Sequence, residues 1–303
     1  MTRKTILVFG ATGTQGHPVV EAMQEAGYAV RAATRDVDAA EETLPTDVEI
    51  VEADFGDAES VEEATEGVDG VFFHMPILPE DSLASVYLDN VISACDRNQV
   101  GRLIFTTSGF CHDAMPPGDF VDGLRQAGHA VLSRKGEAVV LRPTLYLANL
   151  VWPHLVSEIR NYGRLTYPPL SHKRRISWTA TEDQATIAAA CVEADVAGQT
   201  LDIASPEPVT GPELCRYLAE VYGREVHYAP QSPEDFADSL GKLVGSARSG
   251  QAIGHMYKSI DTLPPDGAIV DTDALQQRLG VTLTPVSQWM EDRLKWLLQV
   301  TGG

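Results

Sequence analysis

No run of about 18 apolar residues occurs anywhere in the chain, so it holds no candidate membrane-spanning helix. Cysteine is sparse. Cys95, Cys111, Cys191 and Cys215 are scattered without the spacing of a zinc site or a disulfide framework. They are expected to be reduced thiols in a cytoplasmic protein, and no metal centre is expected. Positive charge is scarce too: 23 Lys and Arg stand against 43 Asp and Glu, a formal net charge of −20. Acidic residues concentrate between 36 and 66 and between 182 and 213. Such a surface repels nucleic acid and anionic lipid, which disfavours both as partners. The one basic cluster, His172-Lys173-Arg174-Arg175, reads either as a solvated loop or as an anchor for an anionic substrate or acidic partner. Met1-Thr2-Arg3-Lys4 runs directly into a strand, so no signal peptide is expected. There is no internal repeat, no low-complexity segment and no linker that separates two domains.

What is present is ample material for a core: 44% of the 303 residues are hydrophobic. Apolar runs predict strands at Thr5–Phe9, Ala29–Thr34, Val48–Glu52, Gly70–His74, Arg102–Thr107 and Ala138–Arg142. Helical stretches fall between them, at His17–Ala26, Val37–Thr43, Ala58–Glu66, Leu83–Asn98 and around Val121–Arg134. This alternation implies an α/β fold, a doubly wound parallel sheet of Rossmann type in the order 3-2-1-4-5-6. Residues 1–143 are expected to form the NAD(P)-binding domain. The rest, 144–303, is expected to be a smaller mixed α/β C-terminal substrate region that completes the sheet edge and covers the crevice. It carries a helix at Thr181–Glu193, a strand at Thr200–Ala204, a capped helix opening at Thr210, a short strand at Val226–Ala229 and a helix start at Ser232. Thr284-Pro285 reads as a cap followed by proline at the first position of a last helix.

The first strand ends in Gly10-Ala11-Thr12-Gly13-Thr14-Gln15-Gly16. Glycines at a strand-to-helix turn let a pyrophosphate approach the backbone, and the helix presents its N–H groups and positive dipole end to that anion. Thr12, Thr14 and Gln15 add donors. At the end of the second strand, where NAD binders carry an acidic residue, stands Thr34-Arg35. A guanidinium suits a 2′-phosphate, so NADP(H) is expected in preference to NAD(H), with pairing of Arg35 to Asp36 or Asp38 as the alternative. Asp54-Phe55 lies where adenine would rest, with a helix N-cap role for Asp54 as the alternative, although Asp57 is the better cap for the helix that follows. His74-Met75-Pro76 ends the fourth strand, beside the cofactor's central part. Thr106-Thr107-Ser108-Gly109, followed by Phe110-Cys111-His112, would face the nicotinamide. Ser108 is a candidate donor there, and His112 is a candidate acid-base group with Tyr146.

These residues resemble the NmrA-like proteins, a group of atypical short-chain dehydrogenases/reductases. The resemblance rests on Val8–Gly16, Val30-Arg31…Thr34-Arg35, Leu141-Arg142-Pro143…Tyr146…Asn149-Leu150, Thr181-Glu182-Asp183-Gln184-Ala185, Gln199–Ile203, Thr210…Glu213-Leu214 and Ser232–Phe236. It implies a nicotinamide cofactor. It leaves the reaction open, because the family includes NADPH-binding redox sensors as well as quinone reductases and isoflavone-reductase-like enzymes. The Tyr-x-x-x-Lys pair of standard superfamily members is missing: no tyrosine lies between Ser108 and Arg142, and the position matching the lysine of isoflavone-type reductases falls near the apolar Leu124.

Three readings follow. The first is an NADPH-dependent reductase of a small quinone or conjugated carbonyl, with Tyr146, Trp152, Tyr162, Tyr167 and Trp178 as possible pocket walls. The second is a non-catalytic NADPH/NADP+ sensor with a protein partner. The third is a non-redox small-molecule enzyme using His74, His112 or Tyr146.

Overall fold

The computed structural model describes residues 3–76 and 82–300. The first half alternates strictly: β1 (Thr5–Phe9), α1 (Gly16–Glu25), β2 (Ala29–Thr34), α2 (Val37–Thr43), β3 (Glu49–Glu52), α3 (Ala58–Thr65), β4 (Gly70–His74), α4 (Ser82–Arg97), β5 (Arg102–Thr106), α5 (Asp119–Leu132) and β6 (Glu137–Pro143). Then come β7 (Leu145–Tyr146), α6 (Pro153–Tyr162), β8 (Arg164–Leu165), β9 (Trp178–Thr179), α7 (Thr181–Cys191), β10 (Gln199–Ile203), α8 (Gly211–Tyr222), β11 (His227–Tyr228), α9 (Pro233–Val244), α10 (Ala247–Thr262), α11 (Thr272–Leu279), α12 (Val286–Trp289) and α13 (Lys295–Val300).

The central sheet has the order β10-β6-β5-β4-β1-β2-β3, with every neighbouring pair parallel. This is the expected 3-2-1-4-5-6 arrangement with β10 added beyond β6. The β1 strand explains why such strands are apolar throughout. Ile6 and Val8 face one layer, with Val19, Val20 and Met23 of α1 and Ala185 and Ala188 of α7. Leu7 and Phe9 face the other, with Val61 of α3 and Val91 of α4. Helices cover both faces, so neither side of the strand can be polar. A third apolar cluster lies in the C-terminal half, around Tyr167, Trp178, Phe236 and Tyr257.

Helix starts follow local chemistry. Asp36 accepts from the Ala39 N–H and Asp57 from the Glu59 N–H, while Thr210 and Glu213 form a reciprocal capping box on α8. The last helix departs from expectation. Pro285 is its N-cap, with ψ 147°, and α12 begins at Val286. Thr284 stands just outside the helix, with its N–H donating to the Asp183 carboxylate at 3.0 Å.

The basic cluster also departs from both of its readings. The Arg174 guanidinium donates to the carbonyls of Asp261, Leu263 and Pro264 at the end of α10. Arg175 binds the Pro208 carbonyl and Glu213, and His172 contacts the Tyr228 carbonyl. Three of its four side chains tie C-terminal segments together, which leaves Lys173 alone as an exposed cation of the loop.

Candidate dinucleotide and acceptor site

The glycine loop joins β1 to α1 at the carboxyl end of the sheet. Gly10 has φ +65°, a left-handed conformation that favours glycine. The Gly13 N–H closes the turn on the Gly10 carbonyl at 2.9 Å. A Cβ at Gly16 would stand 2.2 Å from that same carbonyl oxygen, so α1 packs against the turn only because residue 16 has no side chain. No side chain caps α1, and its first turn carries no acidic residue, unlike the aspartate-capped α2 and α3. Its N-terminus therefore keeps its donors for an anion, which is the fit a dinucleotide pyrophosphate requires.

Arg35 is exposed just beyond β2. Among the described residues no carboxylate pairs with it, and Asp36 is engaged in capping α2. Asp54 accepts from the Gly56 N–H at 2.7 Å, while Phe55 packs between Phe9 and Tyr87. His74 lies against the glycine turn: its Nε2 would meet a Cβ on Gly10 at 2.8 Å. Its Nδ1 faces the Met75 carbonyl at 3.3 Å, Nε2 is buried without a partner, and burial lowers its pKa. Met75 packs on the apolar layer beside α4, and Pro76 is half-buried at the edge of the described segment.

Four elements meet at one polar cluster. Gln15, the last loop residue before α1, receives Ser108 Oγ at 3.1 Å, Tyr146 Oη at 2.9 Å and Gln184 Nε2 at 3.3 Å on its Oε1. Gln184 Oε1 in turn accepts from Tyr146 Oη at 2.7 Å and Thr106 Oγ1 at 3.0 Å. Ser108 sits just past β5 with φ +55°, a left-handed conformation whose strain is on the order of 1–3 kcal/mol for a residue with a side chain. Its N–H donates to Thr106 Oγ1 at 3.3 Å, which helps hold it there. Tyr146 and Gln184 are buried, whereas Gln15 and Ser108 are half-buried. Burial raises the Tyr146 pKa, so its phenol stays protonated and acts as a donor.

Gln184 is absent from the candidates that sequence reasoning selects, and Thr106 enters there only as part of the loop after the fifth strand, without a role of its own. A signal existed: Gln184 is a polar residue on the same buried face of α7 as Thr181, Ile187, Ala188 and Cys191. His112 does not join the cluster. It is buried under Phe110, with Nε2 3.2 Å from the Arg142 carbonyl and 3.5 Å from Asp202, and burial lowers its pKa. Arg142 bridges Asp113 and Asp202 beside it, so this histidine belongs to a structural ion network. Leu124 of α5 occupies its side of the site with an apolar contact: a Cβ on Gly109 would strike its side chain at 2.9 Å. Of the expected pocket walls, Tyr167 and Trp178 are only 1% exposed and belong to the C-terminal core, while Tyr162 is 62% exposed on the surface. Only Tyr146 touches the cluster; Trp152 is half-buried, packed on Tyr167.

The sheet and its glycine turn define a dinucleotide-binding α/β protein of the Rossmann class. The profile of the NmrA-like family matches residues 2–278, so the chain belongs to the NmrA-like family. It is 27% identical over 274 residues to the NAD(P)H azoreductase of Xenophilus azovorans, across 86% of this chain and 91% of that protein. Its fold resembles the Citrobacter sp. triphenylmethane reductase crystallised with NADP(H), at 24% identity and TM-score 0.76, across 94% of this chain and 99% of that one. It likewise resembles the NADPH-dependent quinone oxidoreductase QOR2 of Escherichia coli, at 21% identity and TM-score 0.77, across 95% and 99%. Among the described residues no helix is long and apolar enough to cross a membrane, and no group of His, Cys, Asp and Glu is arranged for a metal.

Proposed function

We propose that this protein is an NADPH-dependent oxidoreductase whose acceptor is a small quinone or conjugated carbonyl. The observation that carries the reading is the junction of the two halves of the site. The phosphate loop, through Gln15, is hydrogen-bonded to Ser108 and Tyr146, side chains from the ends of β5 and β7 where an acceptor would lie. Loop and acceptor residues thus share one polar cluster. The relatives named above, an azoreductase, a triphenylmethane reductase and a quinone oxidoreductase, support a conjugated acceptor for this chain as well.

When bound, the nicotinamide supplies hydride to the acceptor carbon. The chain's own tasks are then positional and electrostatic. The uncapped end of α1 and the bare glycine turn hold the pyrophosphate, and Arg35 takes the 2′-phosphate. Neutral Tyr146 and Ser108 donate hydrogen bonds beside the acceptor. The missing Tyr-x-x-x-Lys pair suits this chemistry, because a conjugated acceptor spreads the arriving electrons and needs no strongly acidic group before hydride arrives.

Titration of NADPH and NADH into wild type and Arg35→Ala tests the cofactor reading. NADPH should bind wild type more tightly, and the mutant should lose about tenfold for NADPH while NADH changes little. Equal affinity of wild type for both nucleotides overturns it. Steady-state NADPH oxidation with a panel of quinones and enones tests the reaction. Absence of acceptor-dependent oxidation by nucleotide-saturated protein removes the reductase reading.

A further inference from the structure

We propose that Ser108 Oγ, Tyr146 Oη and Gln184 Nε2 form a pocket for one electron-rich oxygen of the acceptor, and that the Gln15 side-chain oxygen fills this pocket until the acceptor displaces it. The inference rests on the reductase reading and deepens it by naming the chemical group the site recognises: a carbonyl oxygen that becomes a phenolate or enolate.

Three donors from three separate elements converge on one amide oxygen, at 2.9, 3.1 and 3.3 Å. An amide oxygen offers two lone-pair directions, and the single Tyr146 proton is contested by Gln184 Oε1, so Gln15 holds at most two full hydrogen bonds here. An anionic oxygen with three lone pairs draws the Tyr146 proton as well. The donors also remain in place without Gln15. Thr106 Oγ1 donates to Gln184 Oε1 and so holds the Gln184 amide with its Nε2 toward the pocket. The Ser108 hydroxyl is aimed by a left-handed backbone that the Thr106 side chain supports. Tyr146 has one proton and two acceptors, Gln184 and Gln15, so its hydroxyl can turn to whatever occupies the Gln15 position.

Gln15 is the movable member. It precedes α1, its side chain does not cap that helix, and it is half-buried while Tyr146 behind it is buried. With its amide withdrawn, the phenol faces the crevice. Hydride addition at a conjugated carbon forms a C–H bond, breaks the acceptor π bond, and sends that electron pair to the oxygen. The pocket binds the resulting oxyanion more strongly than the starting carbonyl. Solvent water supplies the proton that completes the hydroxyl group and leaves as hydroxide to bulk, while Tyr146 keeps its own proton and stabilises the oxyanion by donation alone.

The test uses 4-nitrophenolate as an oxygen-anion probe, titrated into the full chain by calorimetry with and without NADP+. Gln15→Ala should bind it several-fold more tightly than wild type, because the internal occupant is gone. Tyr146→Phe and Ser108→Gly should each lose roughly tenfold. Ser108→Gly relieves the left-handed backbone, so it should be no less stable than wild type in thermal melts. A weakened variant that is fully folded therefore separates lost donation from lost structure. Unchanged or weaker binding by Gln15→Ala, or unchanged binding by both Tyr146→Phe and Ser108→Gly, overturns the pocket. The outcome is independent of the wider reading: failure of wild type to oxidise NADPH with any acceptor removes the reductase, while the phenolate titration reads the donors alone.

Discussion

At the scale of single residues, the site is governed by atoms that are missing as much as by atoms that are present. Gly16 lets α1 meet the Gly10 carbonyl, and a methyl group there would overlap it. Gly16→Ala should therefore destabilise the protein by about 1–3 kcal/mol in denaturant melts and abolish measurable NADPH binding. The glycine turn was legible in the sequence because its constraint is local: glycines three apart, after a strand and before a helix. Arg35 was legible for the same reason, as the residue just past β2. The Gln15–Gln184 contact was not. It joins residues 169 positions apart, and an isolated glutamine in a helix carries no mark of its partner. His112 misled in the opposite way. Its place beside Ser108 suggested chemistry, yet the chain bends at Gly109 and the imidazole is buried against Arg142 and Asp202.

At the scale of elements, helix ends were the most readable features. Thr210→Ala should cost about 1 kcal/mol of stability by removing the side-chain half of the α8 capping box, while the backbone N–H of residue 210 still donates to Glu213. The start of α7 anchors three separate parts of the fold. Gln184 faces the polar cluster, while Asp183 accepts from Ser205 Oγ and the Thr284 N–H, and Glu182 holds Trp289 and Arg293. Burial pushes the Asp183 pKa up to about 6. A carboxyl group with a raised folded-state pKa binds its proton more tightly folded than unfolded. Its contribution is thus fully present below about pH 4 and is lost as pH rises to about 6, on the order of 3 kcal/mol across that window. Asp183→Asn should flatten that part of the pH–stability curve, measured by denaturant melts at pH 4, 5, 6 and 7. A slope equal to that of wild type would show that other groups set it. The Thr284-Pro285 start was off by one residue: Pro285 itself is the N-cap, and Thr284 lies outside the helix with its N–H on Asp183, about a hundred residues away.

At the scale of the molecule, the net charge of −20 works against compactness, and ion pairs such as Arg102–Glu137 offset only part of that repulsion. Raising NaCl from about 0.05 to about 0.5 M should raise the thermal midpoint by screening this repulsion. A midpoint that falls with salt would mean that paired charges dominate. The fold class was legible because periodicity reports which faces are covered, and all six expected strands of the first half are present. The C-terminal half was less so. Between 144 and 178 the chain has two-residue strands, a 3-10 helix at Leu147–Val151 and the short α6, too brief for a period to emerge, and its order comes from side chains such as Arg174 that reach distant carbonyls.

The parallel pairing of β10 with β6 has a consequence for how the polypeptide is made. Roughly 60 residues separate the end of β6 at Pro143 from the end of β10 at Ile203. At about 5–20 residues per second, a ribosome needs several seconds to bridge that interval. Throughout it, the nascent chain displays β6 as a bare apolar edge (Ala138, Val139, Val140 and Leu141) able to pair with any other extended segment. The emerging protein is thus a natural client for holding factors during that window, and slowed translation between residues 143 and 203 should increase its loss to aggregates.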